Sequence, residues 1–65
     1  MSPDRARYHN YIRLAHEAES SGQLPKAIEY IRTAEMCTDE QDESDELRKW
    51  RIRLEAKRFE GGRRT

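Results

Sequence analysis

The chain has 65 residues, of which 34% are hydrophobic and 40% charged, and its 13 basic and 13 acidic side chains cancel. A chain of this length makes one domain and buries only about 60% of its unfolded surface, so a monomeric core is marginal. Small domains of this kind are commonly stabilised by disulfides, a metal ion or oligomerisation. A single cysteine, Cys37, excludes an internal disulfide, and no metal-ligand spacing is present, so we expect a homodimer. No apolar run is long enough to span a bilayer or to form the core of a signal peptide, which predicts a cytoplasmic protein without membrane association.

A helix is predicted for the first third of the chain. Ser2, Pro3 and Asp4 have the form of a helix start, because a hydroxyl caps free amides, proline fits the first helical position and a carboxylate complements the helix dipole. Steps of three and four residues then define one apolar face: Tyr8, Tyr11, Ile12, Ala15 and Ala18. Gly22 offers a left-handed cap. We predict helix 1 over about residues 3–20.

A second helix follows after a very short linker. Pro25 is tolerated only in the first turn of a helix, which places the start there. The apolar positions form an unbroken stripe: Leu24, Ala27, Ile28, Ile31 and Ala34. We predict helix 2 over about residues 25–36, and a linker of two or three residues predicts an antiparallel hairpin.

The third predicted helix begins in an acidic segment. Thr38 and Gln41 have the spacing of a capping box, and Ser44 offers a second start. We place helix 3 over about residues 44–60, with Gly61-Gly62 as its end and residues 61–65 as a frayed tail. Its apolar residues fall on two faces, one with Leu47, Trp50 and Leu54 and the other with Ile52, Ala56 and Phe59.

One face of helix 3 is expected to pack on the hairpin, and the other to face solvent or a partner. The predicted fold is all-α: a single small domain over residues 1–65, made of an antiparallel helical hairpin and a third helix. We expect the dimer to form through apolar surface on helices 1 and 3.

The net charge of zero conceals a separation of charge along the chain. Seven acidic and no basic side chains lie between Glu35 and Glu46, whereas eight basic and two acidic ones lie between Leu47 and Thr65. The resulting acidic patch comprises Asp39, Glu40, Asp42, Glu43, Asp45 and Glu46. Separated charge steers encounters between macromolecules and carries no chemistry itself. The pattern therefore favours a binding protein over an enzyme.

The side chains that bear metal or catalytic chemistry lack the required spacing. His9 and His16 are seven residues apart, whereas two ligands on one helix need a spacing of three or four. A calcium-binding loop places ligand oxygens at alternate residues and needs a glycine for its turn, whereas Asp39, Asp42 and Asp45 are three residues apart and no glycine lies among them. Cys37 lies among acidic neighbours and is interpreted as a small buried hydrophobe. We predict no catalytic residue, cofactor or metal.

Two resemblances follow from these residues. The hairpin resembles one tetratricopeptide repeat in the spacing of Tyr11, Leu14, Ala15, Ala18, Gly22, Ala27, Ile31 and Ala34. The order Tyr11-x-x-Leu14-Ala15-x-x-Ala18-Glu19-x-x-Gly22, then Ala27, Tyr30 and Ala34, then Trp50-x-x-Arg53, resembles the small AraC-negative-regulator family and the related PerC-type virulence regulators. This likeness implies a short, helical, cytoplasmic regulator that binds AraC/XylS-type activators or nucleoid-associated proteins.

The sequence thus predicts a non-enzymatic protein that binds a transcription regulator and modulates transcription. Tyrosine, tryptophan and arginine carry much of the energy of protein interfaces. The candidate contact residues are accordingly Tyr8, Tyr30, Trp50, Arg51, Arg53 and Phe59, with a place in the core as the alternative for each. Tyr30 lies off the apolar stripe of helix 2, which predicts an exposed aromatic ring.

Two other functions remain open at this point. The basic third helix offers side chains for phosphate contacts, so direct DNA binding is one alternative. The other is a mobile-element protein that inhibits a host complex, with the acidic patch imitating nucleic acid. The arginines of helix 3 also have a structural interpretation, in which Arg48 to Arg53 pair with Asp42 to Glu46 of the same or a neighbouring subunit.

Overall fold

A computed structural model of the protein describes residues 5–63, with side chains for residues 5–60. It contains three helices: α1 (Arg5–Ser20), α2 (Leu24–Met36) and α3 (Gln41–Arg63). The prediction of an all-α fold is confirmed, and the ends of α1 and α2 agree with the sequence pattern. The predicted helix start at Ser2, Pro3 and Asp4 lies outside the described residues.

A tight turn joins α1 to α2 and makes them antiparallel. The amide of Gln23 donates to the carbonyl of Ala18 (2.8 Å) and that of Gly22 to Glu19 (3.0 Å), the two bonds of a Schellman motif. Gly22 has a φ of 78°, where any side chain is strained, so glycine is needed at this position. Pro25 lies in the first turn of α2, where its missing N–H costs nothing. The hairpin prediction is therefore confirmed with its cap.

The core is built on α2, which packs against α1 on one side and α3 on the other. Within the described part of the chain, no Cα atom of α1 lies within 8 Å of one of α3. The small residues Ala15, Ala18, Ala27 and Ala34 are buried and let the helices of the hairpin approach closely. The larger buried side chains are Tyr8, Ile28, Ile31, Leu47 and Leu54. The two predicted faces of helix 3 are confirmed, since Leu47 and Leu54 are buried while Ile52 and Phe59 are exposed.

Helix α3 begins earlier than the predicted residue 44. The hydroxyl of Thr38 accepts a hydrogen bond from the amide of Glu40 (3.1 Å) and donates one to the carboxylate of Glu43 (2.5 Å). The Gln41 side chain instead donates to Asp45 (3.0 Å), so the predicted reciprocal pairing of Thr38 with Gln41 does not form. Thr38 fixes the start three residues earlier, because its hydroxyl binds the chain on both sides of Gln41.

Helix α3 also ends later than predicted, since it passes through Gly61 and Gly62 to Arg63. Glycine weakens a helix without interrupting its hydrogen bonds, because it retains its N–H and accepts helical dihedral angles. With 23 residues α3 is about 34 Å long at 1.5 Å per residue, against about 20 Å for the 13 residues of α2. Among residues 5–60, Leu54 is the last buried one in the chain, and every side chain from Glu55 to Glu60 is exposed. The second half of α3 therefore projects beyond the hairpin.

Candidate protein-binding surfaces

Side chains bridge α1 and α3 where their backbones do not meet. Near the start of both helices, Arg5 makes a two-pronged contact with Glu43, at 2.7 Å from Nη1 to Oε1 and 2.9 Å from Nη2 to Oε2. Further along, the indole N–H of Trp50 donates to Oε1 of Glu19 at 3.1 Å. The imidazole of His16 lies against the Trp50 ring with the centroids 4.4 Å apart. These bridges show that α1 and α3 run in the same direction.

An interhelical groove of about 920 Å³ lies between α1 and α3. Tyr8, Ile12 and His16 line it from α1, and residues between Asp42 and Arg53 line it from α3. Tyr8 and Leu47 are buried at its base, whereas Ile12 and Trp50 are half-buried and present apolar surface to it. The groove combines an apolar base with charged walls.

The Arg5–Glu43 contact sets the electrostatics at one end of the groove. Hydrogen bonds from Arg5 and then Thr38 lower the pKa of the Glu43 carboxyl to about 2. The same contact with Glu43 raises the pKa of Arg5, so both members of the pair are charged at neutral pH. Burial raises the pKa of the Tyr8 hydroxyl, with the charge of Glu43 adding to the effect. The guanidinium of Arg5 also lies 4.6 Å from the centre of the Tyr8 ring.

The acidic patch is therefore not a uniform surface. Glu43 is neutralised by Arg5, and Asp45 accepts a hydrogen bond from Gln41. Asp39, Glu40, Asp42 and Glu46 are exposed. Of these, Asp42 and Glu46 line the groove.

Two of the candidate contact residues, Tyr8 and Tyr30, lie wholly or partly in the core, and Cys37 is more exposed than expected. Tyr8 is buried at 6% exposure and belongs to the same core cluster as Leu47. Tyr30 is half-buried and packs on Tyr11, with the ring centroids 6.1 Å apart, so its ring is not the exposed aromatic that was expected. Cys37 is half-buried rather than fully enclosed.

The two candidate arginines of α3, Arg51 and Arg53, differ in their contacts. Arg51 pairs with Glu35 of α2 at 2.9 Å and lies 3.9 Å from Glu55 of its own helix, so its partners are not the acids between Asp42 and Glu46. It joins α3 to α2. Arg53 is exposed and lines the groove. Arg53 is thus available to a partner, whereas Arg51 has a structural contact.

The large exposed apolar side chains mark a second surface. Phe59 is 67% exposed and Ile52 is 54% exposed, and Ala56 between them is also exposed. The spacing of four and three residues places them on one side of α3, and we call this set the docking stripe. Met36, 87% exposed at the end of α2, is a further exposed hydrophobe that the sequence pattern did not single out. The sequence did contain a signal for the exposure of Met36, because this residue lies off the apolar stripe of Ala27, Ile31 and Ala34.

Sequence reasoning also missed His16 as a groove residue and Glu19 as the hydrogen-bond partner of Trp50. Both stand beside the predicted apolar face of α1, but nothing in the pattern indicated that Trp50 of a distant helix would reach them. Among residues 5–60, no three His, Cys, Asp or Glu side chains gather in a metal-binding group. No helix in the described range has the length and apolarity needed to cross a membrane.

Comparisons with known proteins add no relative. The chain matches no family model, no curated protein and no solved structure.

Proposed function

We propose that the chain is a non-enzymatic regulator that binds a transcription regulator, of AraC/XylS type or nucleoid-associated, and alters its activity. The observation that carries the proposal is the docking stripe, which runs along the exposed side of α3 from Ile52 onto its projecting end at Phe59. Large apolar side chains exposed in a row are unfavourable in water, and such patches mark interaction sites. Anchors at spacings of three, four and seven residues are typical of a helix that inserts into a groove of its partner.

The projecting geometry supports this mode of binding. Because residues 55–60 are exposed on all sides, a partner groove can enclose this part of α3 without displacing α1 or α2. Phe59 supplies the aromatic anchor and Ile52 the aliphatic one, seven residues apart. The resemblance of the helical core to AraC-negative regulators supplies the class of partner.

Affinity capture from a cell lysate on the immobilised 65-residue chain tests the proposal. The wild type should retain a transcription regulator in the presence of nuclease, and the I52S/F59S variant should retain at least about tenfold less, since two interface anchors are removed. Met36→Ser is the control, because it removes an even more exposed hydrophobe from α2 and should leave capture unchanged.

The same experiment separates the alternatives. Capture that nuclease abolishes would support direct DNA binding, for which the exposed Arg48, Lys49, Arg53, Lys57 and Arg58 provide the cations. Capture that survives I52S/F59S but is lost on charge reversal at Asp39 and Glu40 would support the acidic patch as the contact surface. Either result would overturn the docking stripe as the binding surface.

A further inference from the structure

Four charged residues of α3 form a line along the groove. Asp42, Glu46, Lys49 and Arg53 succeed one another at steps of four, three and four residues, which keeps them on one side of a helix. All four are exposed and all four line the groove. We call them the charged strip. Its order along α3 is two acids followed by two bases.

The residues of the charged strip differ from the charged residues that form ion pairs within the protein. Glu43 and Arg51 are engaged by Arg5 and Glu35 from other helices. None of the four strip residues forms an ion pair with any residue that the structure describes. Moreover, Asp42 with Glu46 and Lys49 with Arg53 are like charges four residues apart, an arrangement that destabilises an isolated helix. Within one chain the strip combines these two repulsive pairs with one attractive spacing, Glu46 with Lys49, so opposite charges supplied by a partner would offset the repulsion in both halves.

We propose that a second copy of this chain supplies those charges, with its α3 lying antiparallel along the charged strip. The order acid, acid, base, base is complementary to itself when reversed. Asp42 then faces Arg53 of the second copy, and Glu46 faces its Lys49, with each pair repeated by symmetry. The spacing between the two members is four residues in both halves of the strip, so all four pairs align in a single register. A self-complementary patch of this kind is what a twofold interface requires.

The groove provides the apolar part of the same interface. A second α3 laid along the strip covers Ile12 and the exposed edge of Trp50, which are half-buried in one chain. Association therefore removes apolar surface from water while the four ion pairs determine the direction and register. The docking stripe lies on another side of α3 and stays accessible, so this pairing is independent of the proposed function.

Charge swaps test the pairing, with sedimentation velocity as the readout over a range of protein concentration. The wild type should dimerise, more weakly at high salt. D42K/E46K makes the whole strip basic, and K49E/R53E makes it acidic. Each variant alone should weaken dimerisation at least about tenfold, because four favourable pairs become repulsive. An equimolar mixture of the two should form a heterodimer.

Two further variants separate the strip from general charge effects. The full swap D42K/E46K/K49E/R53E restores the complementary order in reverse and should restore the homodimer. E17K/E29K changes the net charge as much as D42K/E46K but on exposed sites of α1 and α2, and should dimerise like the wild type. Far-ultraviolet circular dichroism checks that each variant is helical. A half-swap variant that is unfolded alone is instead tested in the equimolar mixture with the oppositely charged half-swap variant, where a heterodimer should form.

Three results would overturn the proposal: a wild type that stays monomeric at several hundred micromolar, two half-swap variants that both dimerise as the wild type does, or a folded full swap that stays monomeric. Failure of I52S/F59S to lose partner capture would leave these results unaffected. The pairing and the proposed function can therefore fail separately.

Discussion

The indole N–H of Trp50 and the carboxylate of Glu19, 3.1 Å apart, join two helices whose backbones do not approach each other. Glu19 is on α1 and Trp50 on α3, so this bond links the two helices further along than the Arg5–Glu43 contact. It positions the Trp50 ring, which also lies against His16. The angle between α1 and α3 thus depends on a few side-chain contacts, in addition to the packing of both helices on α2.

Removal of the Glu19 carboxylate should loosen this junction. We expect Glu19→Ala to lower the free energy of unfolding by about 1 kcal/mol, the usual net value of one hydrogen bond to a partly buried group. Urea unfolding followed by circular dichroism measures the change. Glu17→Ala, an exposed glutamate of the same helix, is the control and should stay within about 0.5 kcal/mol of the wild type. Equal losses for both variants would show that the bond does not stabilise the fold.

Replacing isoleucine by alanine should lower the free energy of unfolding in the core and leave it nearly unchanged in the docking stripe. Ile31 is fully buried, and Ile31→Ala should cost about 2–5 kcal/mol, enough to unfold much of a domain of this size. Ile52→Ala, on the exposed side of α3, should change stability by less than about 0.5 kcal/mol. Thermal and urea unfolding of the two variants give the comparison. A large loss at Ile52 with none at Ile31 would contradict the arrangement of the helices.

The Arg5–Glu43 contact predicts a loss of stability in acid. The pKa of Glu43 falls from about 4.5 to about 2 on folding, so its carboxylate is favoured in the folded state. This contribution is complete above about pH 4.5 and disappears as the pH falls toward about 2. Glu43→Gln should lower the urea midpoint at pH 6 and flatten its dependence on pH between these values. Arg5→Gln should have a similar effect, since the Arg5 hydrogen bond is the main cause of the shift; a wild-type acid profile in both variants would refute the assignment.

The hydroxyl of Thr38 should determine where α3 begins. Thr38→Ala removes the acceptor for the Glu40 amide and the donor to Glu43, and we expect a loss of about 1 kcal/mol with increased hydrogen exchange in the first turn of α3. Thr38→Ser keeps the hydroxyl and should stay close to the wild type. Similar exchange rates in the two variants would mean that α3 begins independently of this residue.

The hairpin was predictable because its signals are local. Gly22, Pro25 and the apolar steps of three and four determine the ends and the faces of α1 and α2 within a few residues of chain. The two faces of α3 followed from the same periodicity. Its start did not, because two capping patterns compete within seven residues and the selection depends on Glu43, whose partner Arg5 is far away in sequence.

The surfaces were harder to predict for the same reason. Tyr8 and Tyr30 are amphipathic residues that tolerate either core or surface, and their burial is decided by neighbours on the same and other helices. Arg51 had acids close in sequence, yet it pairs with Glu35 because helix packing brings that carboxylate nearer. The charged strip is visible in the sequence as a spacing, but its lack of partners appears only when the positions of the other charges are known.

The length of α3 has a consequence for avidity. In the proposed antiparallel pair, the projecting halves leave from opposite ends, and the two Phe59 rings are separated by about 23 residues of helical rise, or about 35 Å. One dimer would then present two identical ligands at a fixed span. A partner that is itself a twofold dimer, with its two grooves at that distance, would bind both Phe59 ends at once. Its apparent affinity would then exceed that of a single contact by about 10²–10⁴.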